Sequence, residues 1–289
     1  MKKLILFLFY ILCMSASTYA QTITISNGPG EEKKPCTSTV KNIVDTCKLQ
    51  IQYQMTSIKD VKNPEKKTNN FMLLQIGNHL SKFSDYFKLK FDSLETVYAQ
   101  QKMDEVEAMN KLMPIMRGTV SLNVMKDYPA GKISTYDRIP TSGSFYYEED
   151  KISQQWNLVE QKDTIICGYP CKYATTTFRG RNYTAWYAPE ISISDGPWKF
   201  WGLPGLILKI SDNKNEYIFE CVAIEKQNRI NSIYIIQKDY YKTTREKFHD
   251  ALKKYYENPS ASYEAKGILI DGKPTGIKSR PYNPIELSE

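Results

Sequence analysis

Trp186, Tyr187, Trp198, Phe200 and Trp201 carry the strongest recognition chemistry in the chain. Large flat side chains supply contact area at small entropic cost, which suits a peptide, lipid or protein surface. Gly196, Pro197, Gly202, Leu203, Pro204 and Gly205 punctuate the backbone around them. Proline presets φ and glycine supplies positive φ, so Leu203-Pro204-Gly205-Leu206 predicts a type II turn feeding a buried strand. Two readings stay open. The 196–205 loop is either a binding surface or a lid packed over a sheet end, and both bury it against something. On the first, replacing Trp198 and Trp201 by alanine removes a ligand and leaves the thermal midpoint nearly unchanged.

Arg179 and Arg181 flank Gly180. On one face of a strand or hairpin they could grip a carboxylate or phosphate through paired bonds; the plainer reading is surface arginines at a turn. Met109, Met113 and Met116 fall on one helical stripe, which is either ordinary core or a soft site for Cu(I). Cys36, Cys47, Cys167, Cys171 and Cys221 lie beyond the N-terminal apolar run. In an oxidising compartment the expected bridges are a local Cys36–Cys47 clamp and a Cys171–Cys221 link between strands, with Cys167 and Cys171 closing on each other as the alternative. The spacing is not that of a redox Cys-x-x-Cys or a zinc knuckle. His249-Asp250 has no serine or cysteine motif beside it, and no glycine loop is suited to cradle phosphate. The chain is therefore read as non-enzymatic and without a cofactor or metal.

The elements that must position these residues are mostly strands. Ile51, Tyr53 and Met55 alternate with Gln52, Gln54 and Thr56, the period-2 pattern of a half-buried strand. Similar patterns recur from 71–76 through 231–237, separated by turn residues as in an antiparallel meander. Asp92-Ser-Leu-Glu95 predicts a capping box opening a helix that Pro114 ends, and Thr243-Thr-Arg-Glu246 predicts a second helix stopped by Asn258-Pro259. The expected fold is mainly β: one strongly curved antiparallel sheet or half-barrel with one or two helices on its concave face.

Lys2 and Lys3 precede an apolar run from Leu4 to Met14 and small residues ending at Ala20. This is the pattern of an export signal over residues 1–20, too short for a membrane span. Residues 21–46 read as a polar N-terminal arm and 47–289 as a single β-rich domain. Losing Lys2 and Lys3 takes the net charge from +7 to +5. The basic residues are interspersed with acids and form no stripe, which argues against nucleic acid.

Gly202-Leu-Pro-Gly-Leu-Ile207 resembles the hexapeptide of the GLPGLI family, exported proteins of Gram-negative bacteria without an established activity. Gly168-Tyr-Pro-Cys171, Phe178-Arg-Gly-Arg181, Ala185-Trp-Tyr187 and Asn283-Pro-Ile-Glu286 extend the resemblance over most of the chain. It implies a periplasmic or envelope role near outer-membrane receptors of the TonB-dependent type, and by analogy a fold similar to periplasmic lipoprotein carriers. The expectation is a binding or accessory protein that holds an apolar or extended ligand, or an outer-membrane receptor, through the 196–205 loop. A copper-handling protein and an uncharacterised hydrolase are the alternatives.

Overall fold

The computed structural model describes Ser26, residues 32–116 and residues 118–287; the export signal expected over 1–20 lies outside the described residues. Twelve strands form one sheet: β1 (Lys41–Ile58), β2 (Lys67–Ile76), β3 (Ser81–Asp85), β4 (Asn123–Lys126), β5 (Lys132–Ile139), β6 (Gly143–Asp150), β7 (Asn157–Ile166), β8 (Tyr169–Phe178), β9 (Arg181–Ala188), β10 (Leu206–Asp212), β11 (Tyr217–Ile236) and β12 (Tyr241–Lys242). Their order is β12-β6-β5-β4-β3-β2-β1-β11-β10-β9-β8-β7, so the sheet does not close into a barrel. Every pairing is antiparallel except the short β12–β6 contact. The fold is mainly β, as the alternation predicts. β1 begins at Lys41, inside the segment expected to be an arm, because its first residues pair with Tyr234 to Ile236 of the long strand β11.

Period-2 alternation sends Ile51, Tyr53 and Met55 into the main core, where they meet Phe83, Phe219 and Leu206. The Tyr53 hydroxyl donates to the Ile207 carbonyl at 2.6 Å, which satisfies the one polar atom of a fully buried ring. Two tight hairpins match their turn residues. Cys167-Gly168 joins β7 to β8 and Arg179-Gly180 joins β8 to β9, with positive φ at both central residues of each, the geometry that fits the twist of paired strands.

The described residues include four α-helices: α1 (Tyr86–Gln100), α2 (Glu105–Leu112), α3 (Arg245–Glu257) and α4 (Pro259–Glu264). α1 starts earlier than the Asp92 capping box predicts. Asp85 is its N-cap, accepting from the Phe87 and Lys88 amides, and Asp92 lies inside the helix, buried against Lys88 and Tyr234. Asp92 follows a turn that was already helical, so its carboxylate is free for tertiary contacts. Asp104 caps a separate α2 that stops at Leu112, two residues before Pro114. Thr244, one residue past the predicted position, caps α3, which packs Phe248 on Tyr147 and Ile139. Among the described residues no helix is long and apolar enough to cross a membrane.

Candidate functional site

The segment between β9 and β10, residues 189–205, starts at the surface and turns inward from Gly196 to Leu203. Trp198, Phe200 and Leu203 are each at most 1% exposed. Phe200 stacks edge-on against Tyr183, Trp198 and Phe178, with ring centroids 4.7 to 5.9 Å apart. The aromatic side chains of Trp198 and Phe200 in the 196–205 loop are therefore packed into the core and not offered to solvent. Two buried lysines hold it. Lys126 of β4 donates to the carbonyls of Gly196 and Trp198 at 2.6 and 3.1 Å, and it pairs with Asp195 at 2.5 Å. Lys199, between the two inward aromatics, pairs with Glu149 of β6 and Glu286 of the C-terminal tail. Gln154 accepts from the Trp201 amide and donates to the Lys199 carbonyl, each at 3.1 Å. These contacts maintain Trp198 at φ 52°, a left-handed conformation that a bulky residue adopts only when its surroundings over-determine it.

The predicted type II turn is not formed. The Leu206 amide donates to Ile191 at 3.1 Å, not to Leu203, because the chain here docks against the incoming segment of its own loop. Gly205 is required for close approach: a Cβ there would collide with the Ala188 carbonyl oxygen. The remaining aromatics separate. Tyr187 points into the core on β9, while Trp186 faces the other way against Tyr173 at 4.8 Å. Trp201 is half-buried under the Lys151 ammonium, 4.3 Å from its ring.

Neither arginine is free to grip a ligand. Arg181 is 5% exposed and is fully engaged: Asp212 and Glu216 at 3.0 and 2.7 Å, Asn283 Oδ1 at 2.7 Å and the Pro284 carbonyl at 2.7 Å. Arg179, at the hairpin turn, pairs with Glu149 and Glu286. Both arginines thus fasten the tail, residues 281–287, across the end of the sheet. The expected disulfides are absent as well. Cys171 and Cys221 are both free thiols, that of Cys171 donating to the Tyr169 carbonyl at 3.3 Å, and Cys36 lies beside Met103 while Cys47 is buried in β1. The close pair is Cys167 and Cys221, with sulfurs 3.5 Å apart and unbonded. Met109 is exposed on α2, and Met113 and Met116 belong to a following tight turn. Among the described residues no group of three or more His, Cys, Asp or Glu side chains could hold a metal.

What the fold does build is a cavity of about 370 Å³ between the core face of the sheet, α3 and the tail. Trp198, Tyr217 and Phe219 form its floor, and Phe248, Leu252 and Tyr256 of α3 its roof. Tyr282 and Glu286 close one side. The hydroxyl of Tyr282 and both ring nitrogens of His249 are buried without a hydrogen-bond partner. Burial pulls the His249 imidazole below its usual range, and nearby Lys199 and Arg245 add to this against the pull of Glu286. A mostly apolar hollow of this size with a few unsatisfied polar atoms can take a small organic molecule. Sequence reasoning located Trp198 but not its partners. Phe248 and Leu252 fall within the second predicted helix, and nothing local marked Lys199 or Glu286 as a buried pair.

A model of a family described as protein of unknown function (Porph_ging) matches residues 148–209, from the end of β6 to the middle of β10. No curated protein matches the chain. Two solved structures of PNGF-II, in space groups P21 and C2, are similar with TM-scores of 0.46 and 0.45 and 15% identity. The match covers 72% of this chain and 33% of theirs, so the chain spans about a third of those proteins' length.

Proposed function

We propose that this protein is an exported, non-enzymatic envelope protein of the GLPGLI type, serving as a binding or accessory component near outer-membrane transport. Its ligand would be a small, largely apolar molecule held between the sheet and α3. The observation that supports this reading is the aromatic cavity itself, roofed by Phe248 and Leu252 and edged by the unpartnered Tyr282 hydroxyl. The proposal moves the binding surface from the outside of the 196–205 loop to its inner side, where Trp198 forms part of the wall. The loop then acts as a scaffold, and Arg179 and Arg181 hold the tail that closes the cavity.

The test is native mass spectrometry of protein released gently from its own envelope, beside a Leu252→Trp variant that fills the cavity. The expected result is an adduct of defined mass on the parent protein and none on the variant. An adduct that survives Leu252→Trp, or a bare mass for both proteins, overturns the cavity as the site.

A further inference from the structure

The opposite face of the sheet holds a second cavity of about 420 Å³, within the range of small-molecule sites. In β3, Phe83 enters the main core, so Lys82 and Ser84 on either side of it face the other way. α1 and the end of β11 cover them, and Tyr136 and Tyr240 line the wall.

Lys82 is 5% exposed. Its ammonium donates to the Tyr234 carbonyl at 2.7 Å and lies 4.5 Å from the Tyr234 ring. A lysine ammonium has three protons to donate, and one hydrogen bond uses one of them. Ser84 is 1% exposed, and its hydroxyl is buried without a partner. Buried polar groups without partners are costly, and each calls for an explanation. Here both line the same cavity.

The charge around them has one dominant sign. Lys88, Arg138 and Lys238 join Lys82 in the lining, against the carboxylates of Asp92 and Asp137. Asp92 is engaged by Lys88 and by the Tyr234 hydroxyl. Asp137 accepts from Ser121 and from the Arg138 amide. Burial draws Lys82 down to about 8, partly offset by Asp92, and a second anion beside it would raise it again. The wall opposite is aromatic: Tyr136 and Tyr240 meet edge-on with centroids 5.1 Å apart.

We propose that this cavity binds a small anion, a carboxylate or phosphate borne on a ring or short apolar body, with its oxygens on Lys82 Nζ and Ser84 Oγ and its body against Tyr136 and Tyr240. Lys82 and Ser84 lie on the other face of the sheet from the floor of the aromatic cavity under α3, and the two hollows meet at Thr119 to Ser121 and at Asp137, Arg138 and Pro140, which line both.

Calorimetric titration of the protein with phenyl phosphate, benzoate and neutral phenol tests it. Saturable one-to-one binding of an anion, with none by phenol, is expected, and the preferred anion shows which head group the site takes. Lys82→Met should weaken that binding about tenfold or more, and Ser84→Ala by several-fold. If Lys82→Met does not fold, Ser84→Ala and the exposed Lys238→Gln carry the test through the anion-dependent rise in thermal midpoint, which both should reduce. Failure of both anions to bind, phenol binding as tightly as they do, or parent-like anion binding by the folded variants would overturn the proposal.

Discussion

Lys199 Nζ lies 2.5 Å from Glu286 Oε1, with both side chains at most 2% exposed. This pair joins the 189–205 loop to the C-terminal tail, and Glu149 of β6 completes it from the other side. Removing one partner of a buried ion cluster leaves charge without compensation, which costs more than the intact cluster contributes. Lys199→Met removes the most buried cation of the cluster and leaves Glu149 and Glu286 to the more exposed Arg179 and Arg245, which should lower unfolding free energy by about 3 kcal/mol. Denaturant titration measures it. A loss below about 1 kcal/mol, the range of exposed pairs, would show that the cluster is hydrated in solution.

The same cluster sets the acid side of the stability profile. Burial would raise the Glu286 carboxyl, but Lys199, then His249 and Arg179, hold it below its usual 4.5. His249 is also depressed, below 6.5, chiefly by burial. For both groups the unfolded chain takes up a proton before the folded one. Their contributions are therefore present above the unfolded values and lost as pH falls, His249's from 6.5 downward and Glu286's from 4.5 downward. Denaturant midpoints measured across this range should decline in two stages. His249→Gln should flatten the upper stage and leave the lower one, and an unchanged upper stage would assign it to another group.

Trp198 decides between the two roles open to the aromatic loop. It is 1% exposed and packs on Phe178 and Phe200, so truncation opens a large hole in the core. Trp198→Ala should cost about 3–5 kcal/mol, contrary to the unchanged thermal midpoint that a surface loop implies. Trp201→Ala, which removes a half-buried ring, should cost less. Thermal and denaturant unfolding of the two variants, compared side by side, checks the order; equal and small losses would return the loop to the surface.

Most strands were legible because alternation survives wherever one face is buried and the other wet, as along Ile51, Tyr53 and Met55. Asn182 to Tyr187 and Leu206 to Ser211 emerge within a residue or so of β9 and β10 for the same reason. The predicted function of the motif residues was less legible. Arg179, Arg181, Lys199 and Asn283 to Glu286 look like surface chemistry one by one. Only the fold shows that they converge, since the tail crosses the hairpin turn more than a hundred positions away. Lys82 and Lys126 were equally hidden: each is charged, yet each occupies a buried position of its strand. Short-range pattern reads a lysine as solvated, and only a distant carbonyl or carboxylate can make such burial tolerable. The cysteine pairing was not legible because only the fold sets the β7–β8 turn against β11, so that Cys167 rather than Cys171 meets Cys221.

Cys167 and Cys221 are the pair that oxidation should join. Their sulfurs are 3.5 Å apart, and a bridge needs about 2.05 Å. Cys167 sits in a two-residue turn at the exposed end of a hairpin, where a small backbone shift can close the gap. Cys171, buried on its own strand, instead donates its thiol to the Tyr169 carbonyl at 3.3 Å. Mild oxidation should therefore yield one bridge, Cys167–Cys221, with Cys36, Cys47 and Cys171 left as thiols. The bridge should add about 2–4 kcal/mol of stability, and Cys221→Ser should abolish that gain and leave Cys167 open to alkylation. Peptide mapping of non-reduced protein reads the connectivity directly. A Cys171–Cys221 peptide would overturn Cys167 as the partner of Cys221.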